Sequence, residues 1–271
     1  MNVDVLDPLV AIGVADDGEI VIDEAALVLA AADRPGLDLA KPRLWLGTLA
    51  ARLAALAGSA AGSADRADAL VRLLAGEEGF TGDADTYDSP ENADFLAMLK
   101  RRRGLPVTLS ILYVGLARRA GWPAVPVALP GHVIVRLGGE ADPVLLDPFS
   151  AGRTLGIAGI RMLLARALGR NTRPDPAHLR PMGNRETLVR LVSNQAIRAR
   201  KSGQLARALE LSRRLTTIAP AVPELWWERA RLEQLVGDRA AARASLSAMR
   251  ETTRDPAVIA RIREAERSLT R

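Results

Sequence analysis

Gly104-Leu-Pro-Val-Thr-Leu-Ser110, Pro130-Gly-His132-Val-Ile-Val135 and Leu145-Leu-Asp147-Pro-Phe149 follow one another within a single segment, and their order decides the fold. From Pro106 onward, Val107, Leu109, Ile111, Leu112, Val114, Leu116 and Ala117 leave little polar face. That pattern describes a helix buried on most sides. Pro106 suits the first helical position, where its missing N–H costs nothing. Gly121 suits the stop, with Arg118 and Arg119 near the negative end of the helix dipole. Residues 125–129, 132–137 and 144–147 read as short strands, the last two joined by a hairpin loop over 138–143. The expected class is therefore α+β: mostly helical, with a small antiparallel sheet packed on a buried helix.

If 138–143 is the loop, Leu137 faces Val144 and Ile134 faces Asp147. His132 then shares a face with Ile134 and becomes a diagonal neighbour of Asp147, about 7–8 Å away between backbones. A slip of one residue would abolish the arrangement. Within that register Asp147 can orient the imidazole and stabilise its charged form, as the third member of a catalytic triad does. The alternative is structural: His132 ends a Pro-Gly turn and Asp147 caps a strand at Asp-Pro.

Composition narrows the chemistry. The 271 residues suit one large domain or two modest ones, and 48% apolar content is enough for a real core. There is no cysteine, which excludes disulfides, thiolate metal sites and a thiol nucleophile together. With only His132 and His178 available, a transition-metal site would rest mainly on carboxylates, so neither metal nor cofactor is expected. His178 follows Asp175-Pro-Ala and reads as a surface residue. The acidic start, Met1-Asn-Val-Asp-Val-Leu-Asp7, lacks the features of a signal peptide, and no uncharged apolar run is long enough to span a membrane. A cytoplasmic protein is expected.

The net charge of +5 hides an asymmetry. Residues 1–90 carry 16 acidic and 6 basic side chains, so the remainder carries an excess of 15 positive charges. Such a chain either presents a basic face to an anionic partner or simply solvates its arginines.

Upstream, residues 20–58 read as two helices, the first opened by Asp23-Glu24 and broken at Arg34-Pro-Gly36. A small-residue loop spans 58–63, and a third helix carries Ala69, Leu70, Leu73 and Leu74. Residues 79–83 read as a turn. Asn92, or Ser89-Pro90, is expected to cap a helix that runs into Arg101-Arg102-Arg103. Downstream, residues 184–271 are helical and internally similar at a shift of 34, which superposes Ala196 on Ala230, Gly203 on Gly237 and Ala208 on Ala242. Thirty-four is the tetratricopeptide period. The expected division is thus 1–180 and 181–271.

Several pieces taken together are similar to bacterial transglutaminase-like proteins of the SirB type with carboxy-terminal tetratricopeptide repeats. They are Phe80-Thr-Gly-Asp83, Tyr87, Pro90-Glu-Asn92, Arg103-Gly-Leu-Pro106, Leu109-Ser110, Pro130-Gly-His132 and Asp147-Pro-Phe149. The resemblance covers the chain from about residue 20 to its end. It implies a papain-like core in which a catalytic thiol opens a buried helix, about fifteen residues before a Gly-Ile-Pro-like segment. Gly121-Trp-Pro123 matches that segment, His132 and Asp147 match the His and Asp, and Pro106 stands where the nucleophile belongs.

The remaining candidates divide by type. Thr108 and Ser110 are the hydroxyls that could replace the thiol, or could instead bond back to helix carbonyls. Arg101, Arg102 and Arg103 offer phosphate contacts or a solvated helix end, and aromatics for base stacking are scarce. Trp226 and Trp227 open the second repeat, one expected in the core and the other nearer the surface, where it would anchor a partner. The leading expectation is a pseudo-enzyme that binds protein or peptide. A hydrolase of altered chemistry using His132 and Asp147 comes second, and a nucleic-acid adaptor third.

Overall fold

The computed structural model describes residues 7–58, 62–169, 172 and 175–269. The acidic start up to residue 6 and the centre of the 58–63 loop lie outside them. The helices are α1 (Pro8–Val14), α2 (Ile22–Ala31), α3 (Ala40–Ala57), α4 (Ser63–Val71), α5 (Phe95–Arg101), α6 (Pro106–Arg119), α7 (Ile157–Leu168), α8 (Asn184–Lys201), α9 (Leu205–Ile218), α10 (Pro223–Leu235), α11 (Arg239–Glu251) and α12 (Pro256–Ser268). The strands are β1 (Thr81–Gly82), β2 (Arg103–Gly104), β3 (Ala124–Leu129), β4 (His132–Leu137), β5 (Val144–Asp147) and β6 (Arg153–Thr154). The fold is α+β. None of the described helices is long and apolar enough to cross a membrane.

The chain forms two compact units, one of residues 17–188 and one that joins residues 1–16 to 189–271. The sequence placed the division at 180/181 and gave the amino terminus to the first unit. The difference arises at α1, where a Cβ on Gly13 would meet the Thr217 carbonyl oxygen at 2.2 Å. Only glycine lets that short helix seat directly on α9, a contact no local pattern announces.

In the 17–188 unit, α6 is central. Pro106 holds its first position and every residue from 106 to 117 is buried. The sheet has the order β3-β4-β5-β6, antiparallel throughout. A tight turn at Pro130-Gly131 joins β3 to β4, with Gly131 at a φ of 70° that favours glycine. Leu137 pairs with Val144 as the loop length required. On the face away from α6, Val127, Leu129 and Ile134 pack on Leu155, Ile160, Leu163 and Leu164 around α7.

Two local expectations are corrected. The 79–83 turn contains β1, which pairs in parallel with β2; two-residue strands are too short for alternation to show. The cap of α5 is Asp94, whose Oδ1 accepts from the Ala97 amide at 2.8 Å. Asn92 is occupied elsewhere: its Nδ2 donates to the Thr86 carbonyl at 2.7 Å and its Oδ1 accepts from Arg101 at 2.9 Å.

In the other unit, α9 and α11 begin 34 residues apart, and the preceding Gly203 and Gly237 have φ of 75° and 85°. Helices α8 and α10 begin 39 apart, so the sequence period governs one set of turns and not the other. Ala230, Ala242, Leu246, Met249 and Ile262 form the apolar cluster. Buried Glu233 accepts from Ser245 Oγ at 2.6 Å and from Arg229 Nε at 2.9 Å, which satisfies both carboxylate oxygens.

Helix α2 approaches α6 at Gly115, where a Cβ would lie 2.7 Å from the Cβ and Cγ of buried Asp23. Gly115→Ala is therefore expected to destabilise the protein by about 1–3 kcal/mol through overpacking. Gly47→Ala, on the open face of α3 with nothing within 4 Å, is expected to stabilise it by about 0.5–1 kcal/mol. Urea midpoints of the two variants check both signs.

Candidate functional site

His132 begins β4 and Asp147 ends β5, and the antiparallel register brings them together. His132 Nε2 lies 2.8 Å from Asp147 Oδ1. A carboxylate only accepts, so Nε2 carries the proton in this contact. Asp147 is wholly buried. Its Oδ1 also accepts from the Phe149 amide at 3.1 Å, and its Oδ2 from Ser150 Oγ at 2.7 Å. Burial pushes the Asp147 carboxyl up, but the bonds and charge of His132 and the bond from Ser150 outweigh it, so its pKa falls below the usual carboxylate range. The structural alternative for Asp147 holds as well: the same carboxylate caps the turn that follows β5.

An aromatic ring flanks His132 and is backed by a second. Phe149 meets the His132 ring edge-on, centroids 6.0 Å apart, and Tyr87 meets Phe149 at 5.8 Å. Gly82 permits this, since a Cβ there would fall 2.4 Å from the Phe149 ring. From α6, the Tyr113 hydroxyl is buried without a hydrogen-bond partner, and its pKa is raised by burial and by the charge of Asp147. Tyr113 and Ser150 are neighbours that sequence reasoning missed, because neither carries a spacing signal of its own.

At the head of α6, Pro106 is buried, and the hydroxyls on the first turns point across to other segments. Thr108 Oγ1 donates to the Asn92 carbonyl at 2.8 Å and Ser110 Oγ to the Val133 carbonyl at 3.4 Å. The expected alternative was bonding back along the helix; the structure uses both hydroxyls to tie α6 to its surroundings instead.

Two of the three arginines in the run are committed internally, and Arg103 is exposed. Arg101 pairs with Asp83 and Glu91 and bonds Asn92. Arg102 takes a left-handed conformation at the end of α5, pairs with Glu78, and lies over the rings of Trp45 and Phe80. Arg103 donates to the Gly79 carbonyl. Trp226 and Trp227 are both half-buried against the α10–α12 cluster, so the core-and-surface split does not occur. Trp226 Nε1 donates to the Pro220 carbonyl, and Arg261 stacks on Trp227 at 3.6 Å. His178 Nδ1 accepts from the Asp175 amide and caps a short turn. Among the described residues, no three His, Asp or Glu side chains gather as a metal site.

The family model of the transglutaminase-like superfamily matches residues 43–193, which include the whole sheet and α6. The chain belongs to that superfamily. A UPF0162 protein of Pseudomonas aeruginosa is 33% identical over 197 residues, 73% of this chain and 72% of the relative. A UPF0162 protein of Xylella fastidiosa is 31% identical over 66% of this chain, which spans 65% of that relative's length. F-box only protein 21 of Homo sapiens is 30% identical over 107 residues, 36% of this chain and 17% of that protein.

Asp83 ties the residues before α5 to the helix. It accepts from the Thr86 amide at 2.9 Å, from Thr86 Oγ1 at 2.6 Å and from Arg101 at 3.2 Å, and its pKa is lowered to about 2, chiefly by the Thr86 bonds. A depressed folded-state pKa gives stability that is complete above the unfolded value near 3.9 and is lost as pH falls toward 2. Asp83→Asn should therefore flatten the acid limb of a thermal-midpoint profile between pH 4 and pH 2. An unchanged limb would contradict the assignment.

Proposed function

We propose that this chain is a non-catalytic member of the superfamily, of the SirB type, that binds protein or peptide partners in the cytoplasm. The chemistry at the head of α6 carries the reading. The chain has no cysteine, Pro106 holds the first helical position, and the hydroxyls of Thr108 and Ser110 are bonded to the carbonyls of Asn92 and Val133. A hydroxyl serves as nucleophile only where a base can take its proton, within about 3 Å. The 34-residue spacing of α9 and α11 supports reading the carboxy-terminal helices as tetratricopeptide-like, a scaffold suited to partners. The stretch shared with F-box only protein 21 is a minor part of that longer protein, as befits a portable module.

A second reading is a hydrolase in which His132 and Asp147 activate water. The 2.8 Å contact and the depressed Asp147 carboxyl favour it, since an ionised acid behind an imidazole is what a general base requires. Turnover of a panel of aryl esters and amides separates the two. The non-catalytic reading predicts product formation by the wild type at the rate seen with His132→Ala. Turnover that disappears in His132→Ala, with circular dichroism unchanged, would establish the hydrolase instead.

A further inference from the structure

Arg136 lies four residues along β4 from His132, on the same face and about 13 Å further along the strand. It lines a cavity of about 490 Å³ between the outer face of the sheet and the start of α7. Apart from Thr154 the other side chains of its walls are apolar, Val127, Leu145, Leu155 and Ile160 among them, with 71%-exposed Ile157 at the mouth. No Asp or Glu lines it. The Arg136 Nε is buried without a hydrogen-bond partner, and among the described residues its guanidinium makes no hydrogen bond or ion pair.

An arginine placed in this way is incomplete. A guanidinium carries five donors in a planar fork matched to a carboxylate, and leaving a buried donor unmet costs about 1–3 kcal/mol. The other charged-ligand feature of the cavity agrees in sign. Gly156, at the amino-terminal cap of α7, lines the cavity and supplies no side-chain cap, so the first-turn amides of this 12-residue helix have no capping acceptor. The volume lies within the range of small-molecule sites.

The geometry points to a binding site for an aliphatic monocarboxylate, its carboxylate on Arg136 and its chain along Val127, Leu145, Leu155 and Ile160. The polar end needs two acceptor oxygens in one plane, and the apolar walls need a body without further charge. The site is separate from the His132–Asp147 pair and does not depend on how that pair is read.

Isothermal titration of the full chain with octanoate and with 1-octanol tests the proposal without any substitution. Octanoate should bind about tenfold or more tightly than the alcohol, the worth of a charge-assisted bond. Arg136→Met should reduce octanoate to the alcohol's affinity, and Ile157→Asp, at the exposed mouth, should weaken octanoate by a larger factor than 1-octanol. Absence of octanoate binding, equal binding of acid and alcohol, or octanoate affinity indifferent to Ile157→Asp would each overturn it.

Discussion

Helix α6 is enclosed along twelve consecutive residues, from Pro106 to Ala117, and the surrounding unit is arranged around that requirement. A helix hidden on every side needs its polar groups met from other segments, and here all but the Tyr113 hydroxyl of those described are. Thr108 reaches the Asn92 carbonyl and Ser110 the Val133 carbonyl, which fixes the residues before α5 and the start of β4 against the same helix. Gly115 gives α2 its approach, and Arg119 closes that contact by pairing with buried Asp23 at 2.6 Å. The His132–Asp147 pair is a consequence of this arrangement, since β4 packs on α6 and β3 and holds β5 as its other neighbour.

Much of this was legible in the chain. The apolar run from Val107 to Ala117, Pro106 at its head and Gly121 at its end give α6 to the residue. The bounds of β4 and β5 followed from short apolar runs between turn residues, and the length of the hairpin set the register that joins His132 to Asp147. What was not legible depended on partners remote in sequence. Asn92 looks like a helix cap, yet it is spent on Thr86 and Arg101, and Asp94 does the capping. Arg101, Arg102 and Arg103 look like a basic surface, yet Asp83, Glu78 and the rings of Trp45 and Phe80 absorb two of them. Helix α1 joins the carboxy-terminal unit through Gly13, and a single glycine carries no address.

The superfamily membership and the absence of cysteine together define the chemical question. An imidazole oriented by a buried carboxylate is half of an acyl-transfer site, and the thiol half is missing from the whole sequence. Asp147 is also held by the Phe149 amide and the Ser150 hydroxyl, so the pair has a structural use: it pins the end of β5 to the start of β4. Retention of the pair therefore does not require that it turn over substrate.

The central claim is that Pro106 occupies the nucleophile position of a His–Asp site. Its most direct test is the thiol pKa of Pro106→Cys, read as thiolate absorbance near 240 nm. The chain has no other cysteine, so the signal belongs to one group. If Pro106 stands in that position, the introduced thiol lies beside the His132 ring and should titrate below its ordinary value near 8.5, returning toward it when His132→Ala is added. A thiol that titrates at or above the ordinary value, with or without His132, would contradict the claim.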